Sequence, residues 1–264
     1  MIGAIIGDVV GSRFEFHNHK SKDFPLFTDS CKVTDDSIMT IAIALAIMDH
    51  DEHGRPLDEA AVYWMRKIGQ PYKNAGYGGR FAQWMYLNNP HPYNSYGNGA
   101  AMRVSACAWA ANTISEAIEM SNAVTGVTHN HPEGMKGARA ITAIIFMARM
   151  GCSKEEIYNY IVQNYYSLNE SVEQIRITSH FDETCQVTVP IAIRCFYESE
   201  SFEDCLRLAI SVGGDSDTIA AMACSVAEAY YGVPEEIREK VLTFVPQELK
   251  DILFRFEEIY SEEK

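Results

Sequence analysis

The sequence has no apolar stretch long enough to cross a bilayer, and its start lacks the basic region and small-residue cleavage site of a secretory signal. It has no run of Lys or Arg: 36 acidic against 22 basic side chains leave a formal charge of −14 and a pI near 5.0. Sequence-independent nucleic-acid binding needs a clustered positive field to displace counterions, so that class is excluded and any bound phosphate belongs in a local pocket. There is no C-x-x-C pair. The seven cysteines, Cys31, Cys107, Cys152, Cys185, Cys195, Cys205 and Cys224, are odd in number and lie mostly in apolar runs. They read as small buried hydrophobes in a reducing compartment, so the expected location is cytoplasmic, with neither membrane nor nucleic acid as partner. Pro/Ser linkers, repeats and low-complexity tracts are missing, so residues 1–264 are expected to form one domain. Runs of alternating β-type residues are missing too.

What is present is helical. At 47% apolar residues in 264, the chain has the material for a sizeable core, and its apolar residues follow helical periodicity from end to end. Residues 37–49, SIMTIAIALAIMD, are apolar nearly all round and predict a central buried helix. Ala-rich residues 99–120 predict one helix, and 133–150 another, stopped by Gly151. Ser153 with Glu156 is a capping box opening a helix toward Tyr165; Ser201 with Asp204 opens another in a looser form. A helix from Thr218 to Tyr231 should end at Gly232, and Pro234 and Pro246 punctuate two amphipathic C-terminal helices. Pro190 predicts a helix start or kink. The expected class is all-α. Residues 69–99, with Gly76, Gly78, Gly79, Pro90, Pro92, Gly97 and Gly99 among Tyr, Asn and His, read as a loop-rich binding region.

Two acidic clusters each precede a buried helix: Thr34-Asp35-Asp36-Ser37 and Gly213-Gly214-Asp215-Ser216-Asp217-Thr218. Asp, Ser and Thr cap helix N-termini and favour the dipole, which explains one such side chain per helix. Here both sites carry two Asp plus hydroxyls, and four carboxylates brought together repel unless a cation sits among them. Hard oxygen ligands suit Mg²⁺, Mn²⁺ or Ca²⁺ and not zinc. Caps and a shared metal site both remain open, and the second requires the fold to bring the clusters together.

The opening IGAIIGDVVGSRFEF spaces Gly3, Gly7 and Gly11 four apart, on one helical face that another backbone can approach closely. It also carries Asp8 and Glu15, the latter between Phe14 and Phe16, where a carboxylate in a partly apolar wall and a solvated helix end are both possible. Ser95-Tyr96-Gly97-Asn98-Gly99 is a glycine-rich turn entering a helix, a pattern that presents N–H groups to an anion and serves equally as a plain turn. His129 and His131, two residues apart before another helix, fit polar ligand contacts or capping better than zinc.

Taken together and in order, GAIIGDVVGSRFE, TDDS, SYGNGAAMR, THNHP and GGDSDTIAA resemble the ADP-ribosylglycohydrolase family, which includes the dinitrogenase reductase-activating glycohydrolases, over about residues 2–234. The resemblance implies a compact, single-domain orthogonal helical bundle with two Mg²⁺ or Mn²⁺ ions. It implies hydrolysis of the bond joining ADP-ribose to an acceptor, foremost protein arginine. A serine-linked or O-acetyl-ADP-ribose hydrolase, or a non-catalytic ADP-ribose-binding module, is the alternative. The partner is then an ADP-ribosylated protein or a small ADP-ribose conjugate. Position by position, it makes Thr34, Asp35, Asp36, Asp215, Asp217 and Thr218 the metal ligands and Glu15 the catalytic acid at the metal edge, with Asp35 and Asp217 also in the catalytic set. Ser95, Tyr96, Gly97, Asn98, Gly99 and His129 become substrate contacts, while His131 and the stretch from Tyr72 to Trp84 fall outside the matched pattern.

Overall fold

The computed structural model describes residues 1–260. Those residues form α1 (Ile2–Gly11), α2 (Asp35–His53), α3 (Leu57–Gly69), α4 (Gly79–Trp84), α5 (Ser105–Ala110), α6 (Ile114–Gly126) and α7 (Pro132–Arg149). They continue as α8 (Lys154–Asn164), α9 (Val172–Thr178), α10 (Cys185–Glu198), α11 (Phe202–Ser211), α12 (Ser216–Tyr231), α13 (Glu235–Leu242) and α14 (Gln247–Tyr260). The described residues contain no strand, and Gly97 meets Thr184 in an isolated antiparallel bridge. The architecture is all-α.

α12 is the axis of the core: buried from Ser216 to Ala227, it packs on α1, α7, α10 and α11. Its contact with α1 is a backbone contact. A Cβ built on Gly3 would lie 2.3 Å from the carbonyl oxygen of Cys224, one on Gly7 2.3 Å from that of Ala220, and one on Gly11 2.5 Å from Cα of Asp217. Glycine inside a helix costs roughly 0.5–1 kcal/mol against alanine, so three in one helix make sense where a side chain cannot fit. The order of these contacts makes the two helices antiparallel. Glu228 locks one end, accepting from the Met1 ammonium at 2.6 Å and the Gly3 N–H at 2.7 Å. The other end sets Asp8 and Glu15 beside the start of α12.

Most helix boundaries follow their caps. Ser153 and Glu156 form the reciprocal capping box of α8, Ser201 accepts from the Asp204 N–H at 3.1 Å, and Gly151 and Gly232 stop their helices at φ +78° and +74°. Two expectations need correction. Residues 99–120 are not one helix: a 3₁₀ turn at Asn98–Ala100 precedes α5, and Thr113 starts α6 afresh, its hydroxyl accepting from Glu116 N–H while the Glu116 carboxylate accepts from Asn112 N–H. Pro190 does not start a helix. It lies in the second turn of α10, where it has no N–H to give the carbonyl of exposed Gln186.

Candidate metal centre and substrate cavity

The first turn of α2 is held from outside. Buried Asp8 on α1 accepts from the Thr34 N–H at 3.0 Å, the Ser37 N–H at 3.1 Å, the Thr34 hydroxyl at 2.6 Å and the Ser37 hydroxyl. A carboxylate on another helix therefore does the work of an N-cap side chain, and the Asp35 N–H donates to Ala75 O at 3.0 Å. Asp35 and Asp36 are left with no capping duty. Asp36 is buried; its Oδ2 accepts from the Thr218 hydroxyl at 3.2 Å, and its Oδ1 has no partner.

The start of α12 is held differently. Gly213 and Gly214 take φ +72° and +73°, a conformation that admits few other residues, and Asn18 clamps the turn. Its Oδ1 accepts from Gly214 N–H at 2.9 Å; its Nδ2 donates to the carbonyls of Gly214 at 2.9 Å, Phe14 at 2.9 Å and Glu15 at 3.1 Å. Asp215 accepts from the Asn98 amide at 2.7 Å, and Asp217 from the Thr218 N–H at 3.0 Å.

Carboxylate oxygens of Asp8, Asp36 and Asp217 all lie within 4.8 Å of one another, and so do those of Glu15, Asp215 and Asp217. The two groups share Asp217. None of these acids has a Lys or Arg within ion-pair distance among the described residues. Burial, reinforced by neighbouring carboxylates, pushes Asp36 and Asp217 well above the usual carboxylate range and Glu15 up to about 7. Burial likewise raises Asp8 and Asp215, against the hydrogen bonds that favour their ionised forms. Oxygen donors at this density, with an orphaned buried Oδ1 among them, fit hard divalent cations of the Mg²⁺ or Mn²⁺ kind.

Glu15, Asp35, Asp36, Asp215 and Asp217 form one wall of an open cavity of about 210 Å³, with Asp8 behind it; the cavity is lined also by Gly76, Arg80, Tyr93, Gly97, Gly99, Arg103, His129 and Phe181. The glycine turn contributes space more than N–H donors. The N–H groups of Gly97, Asn98 and Ala100 are engaged by Ser95 Oγ at 3.2 Å, Glu183 O at 2.8 Å and Gly97 O at 3.1 Å. Gly97 has φ −62°, and a Cβ at Gly97 or Gly99 would come no nearer than 3.4 Å to another atom. Neither conformation nor internal packing requires glycine there, which leaves the volume in front of the turn as the reason for it.

Arg103 is 1% exposed and has no carboxylate partner among the described residues; it donates to the Thr128 hydroxyl at 2.7 Å. Burial pushes it down to about 10, still cationic at neutral pH. The same Thr128 hydroxyl is hydrogen-bonded to His129 Nδ1, 2.7 Å away. His129 Nε2 faces Gly97 and Gly99. Burial, with Arg103 and Arg80 nearby, holds His129 well below its ordinary pKa, so the ring is neutral.

Of the residues expected from sequence, Glu15, Asp36, Asp215, Asp217, Thr218, Ser95, Gly97, Asn98, Gly99 and His129 meet in this cavity. Asp35 lies in its wall in neither oxygen group, with Oδ1 beneath Gly76, and burial pushes its pKa up to about 8. Thr34 sits behind Asp8, its hydroxyl spent there. Tyr96 turns out of the cavity, 45% exposed, its ring 5.0 Å from that of His131. His131 caps α7, accepting from Glu133 N–H at 3.1 Å. The stretch from Tyr72 to Trp84 supplies Gly76, Gly78, Gly79, Arg80 and Phe81 to the wall. Asp8 and Arg103 were missed as site residues. The signal for Asp8 was an acid alone in an apolar helix, and for Arg103 a cation closing the motif SYGNGAAMR.

The family model for ADP-ribosylglycohydrolases matches residues 1–262. The mouse ADP-ribosylhydrolase ARH3 is 24% identical over 89% of this chain and 83% of its own. The ADP-ribosylarginine hydrolase Tri1 of Pseudomonas putida (strain GB-1) is 26% identical over 91% of this chain and 72% of its own. A solved structure described as an ADP-ribosylglycohydrolase-related protein complex superposes with a TM-score of 0.65 at 19% identity, covering 97% of this chain and 95% of that one. At that identity the superposition speaks for the fold.

Proposed function

The chain belongs to the ADP-ribosylglycohydrolase family, and from that premise we propose that it cleaves ADP-ribose from the guanidinium of protein arginine, using two divalent cations. The observation that carries this reading is the pair of oxygen groups meeting at Asp217, none of them paired with a basic side chain. Asp8, Asp36 and Asp217 would hold one cation, and Glu15, Asp215 and Asp217 the other. When bound, such ions supply Lewis-acid polarisation of the ribose oxygens and of water.

The remaining roles belong to the protein's own groups. Asp8 and Asn18 fix the two helix starts, so the acids stay in place without rearrangement at each turnover. Arg103, buried without an anion, offers charge to the diphosphate, and His129 offers it a hydrogen bond where Nε2 carries the ring hydrogen. Gly97 and Gly99 leave room for the diphosphate to lie against the turn. Glu15 exchanges the proton that cleavage requires, as the anomeric carbon passes through an oxocarbenium-like state that the acidic wall favours. The arginine acceptor is supported by the likeness to a relative named an ADP-ribosylarginine hydrolase.

The test incubates the purified protein with arginine-linked, serine-linked and O-acetyl-ADP-ribose, each with Mg²⁺, Mn²⁺ or EDTA, and follows free ADP-ribose. Release from the arginine conjugate that stops in EDTA is expected. Undiminished release in EDTA overturns the metal roles, and release from the O-linked conjugates alone overturns the arginine acceptor.

A further inference from the structure

The cavity wall carries side chains of both signs. Arg80 and Arg103 lie near His129 and Tyr93, the Arg80 guanidinium 4.8 Å from the Tyr93 ring centroid. Glu15 and Glu183 also line it, close enough for Glu183 to help raise the Glu15 pKa, although exposed Lys32 nearby tempers it. Next to these two acids in the chain are two rings: Phe16 is 75% exposed and Phe181 46%, stacked with centroids 6.0 Å apart and planes 28° apart. Neither belongs to the buried core. A solvent-facing pair of phenylalanines beside Glu15 and Glu183 thus has no evident part in folding, and exposed aromatic surface at a cleft mouth marks a contact site.

We propose that the Phe16–Phe181 rim and Glu183 form the acceptor subsite, built for a flat cation such as a guanidinium. The inference rests on the arginine reading above and adds the surface that recognises the leaving group. An ADP-ribosylated guanidinium has a diphosphate anion at one end, a planar cation at the other and ribose between. The cavity offers Arg103 and Arg80 to the anion, and Glu183 with the two rings, beside Glu15, to the cation. A guanidinium stacks on aromatic faces and pairs in-plane with a carboxylate, so rings and acid together suit it better than either alone. Glu183 is the available acid. Asp182 beside it is engaged by the Thr184 N–H at 2.8 Å and the Thr184 hydroxyl at 2.6 Å, whereas the Glu183 carboxylate has no hydrogen bond or ion pair among the described residues. The Glu183 carbonyl accepts from Asn98 N–H at 2.8 Å, which fixes this segment against the glycine turn.

The experiment measures kcat and KM on ADP-ribosyl-arginine, and calorimetric affinity for free ADP-ribose, in the wild type, Phe16→Ala/Phe181→Ala, Glu183→Gln and Phe16→Tyr/Phe181→Tyr. The alanine pair and Glu183→Gln should each raise KM about tenfold, with ADP-ribose affinity kept within about twofold; the tyrosine pair, which keeps the rings, should restore KM. Unchanged KM, a loss confined to kcat, or a parallel loss of ADP-ribose affinity would overturn the rim assignment while leaving the arginine reading intact. A wild type inactive on the arginine conjugate would refute the arginine reading and this assignment with it.

Discussion

The starts of α2 and α12 carry the same kind of sequence, paired acids flanked by hydroxyls, yet they are secured by opposite means. α2 borrows a carboxylate, Asp8, from a neighbouring helix to satisfy its N–H groups. α12 relies on backbone, a turn through Gly213 and Gly214 at positive φ pinned by the Asn18 amide. The first device relieves Asp35 and Asp36 of capping, whereas at α12 Asp217 still accepts from the Thr218 N–H at 3.0 Å. A helix start with two acids and an outside cap can therefore be read as a place where the acids have another task. The contrast also predicts that damage to the two supports differs in kind: the first support is itself a member of an oxygen group, and the second is not.

The largest effect should come from Asp8→Ala, which removes a cap and a proposed ligand at once. Two N–H groups and two hydroxyls lose their acceptor in a buried setting, so we expect a loss of about 3 kcal/mol, read as a fall in melting temperature in EDTA as well as in Mg²⁺. Activity should fall at least about a thousandfold, because the helix start that carries Asp36 shifts with it. An unchanged melting temperature in EDTA would show that α2 does not depend on Asp8.

Asp36→Asn and Asp217→Asn should separate ligation from support. Each is expected to cost at least about a hundredfold in turnover, yet in EDTA the variants should melt no lower than the wild type, since each removes a carboxylate that its neighbours disfavour. Adding Mg²⁺ should then raise their melting temperature less than that of the wild type. A variant that unfolds in EDTA would assign the side chain to support instead.

The contrast marks what the sequence could carry. The glycine spacing in α1, the all-round apolar α2 and the serine caps are local patterns, and each led to the element observed. The paired acids and the glycine turn were visible as candidates, because residue type and spacing express their chemistry. The roles of Asp8 and Asn18, and the link from Arg103 through Thr128 to the candidate His129, were not, because they lie in partners elsewhere in the chain: Asn18 acts on Gly214, 196 positions away. The break between α5 and α6 was local and still missed, since the alanines around it outweighed the Thr113–Glu116 cap.

A smaller effect, opposite in sign with and without metal, is expected from pH. Glu15 at about 7 and Asp35 at about 8, with the other acids also raised, sit above their unfolded values near 4. Between those limits the native state binds more protons than the unfolded chain, so the stability of the metal-free protein should fall as pH rises from about 4 to about 8. Cations compete with those protons, so the stabilisation by Mg²⁺ should grow across the same window. Melting curves at pH 5, 6, 7 and 8, in EDTA and in Mg²⁺, should diverge steadily. Parallel curves would deny that the raised acids and the metal share a site.

The smallest expected effect isolates the support of α12. Asn18 donates to three carbonyls and accepts from Gly214 N–H, but it sits at the surface, where water replaces much of what is lost. Asn18→Ala should therefore cost about 1 kcal/mol of stability. Its effect on turnover should be about tenfold, because both Glu15 and Asp215 are reached through the turn it clamps. Asn18→Asp sharpens the point. Its carboxylate can still accept from Gly214 N–H, but its second oxygen would face the carbonyls of Phe14, Glu15 and Gly214 with no proton to give. If the clamp works through donation to the Glu15 segment, Asp should be no better than Ala in turnover. If the acceptor bond to Gly214 is what matters, Asp should recover most of the activity, and the positive-φ glycine turn alone would then account for how α12 presents its acids.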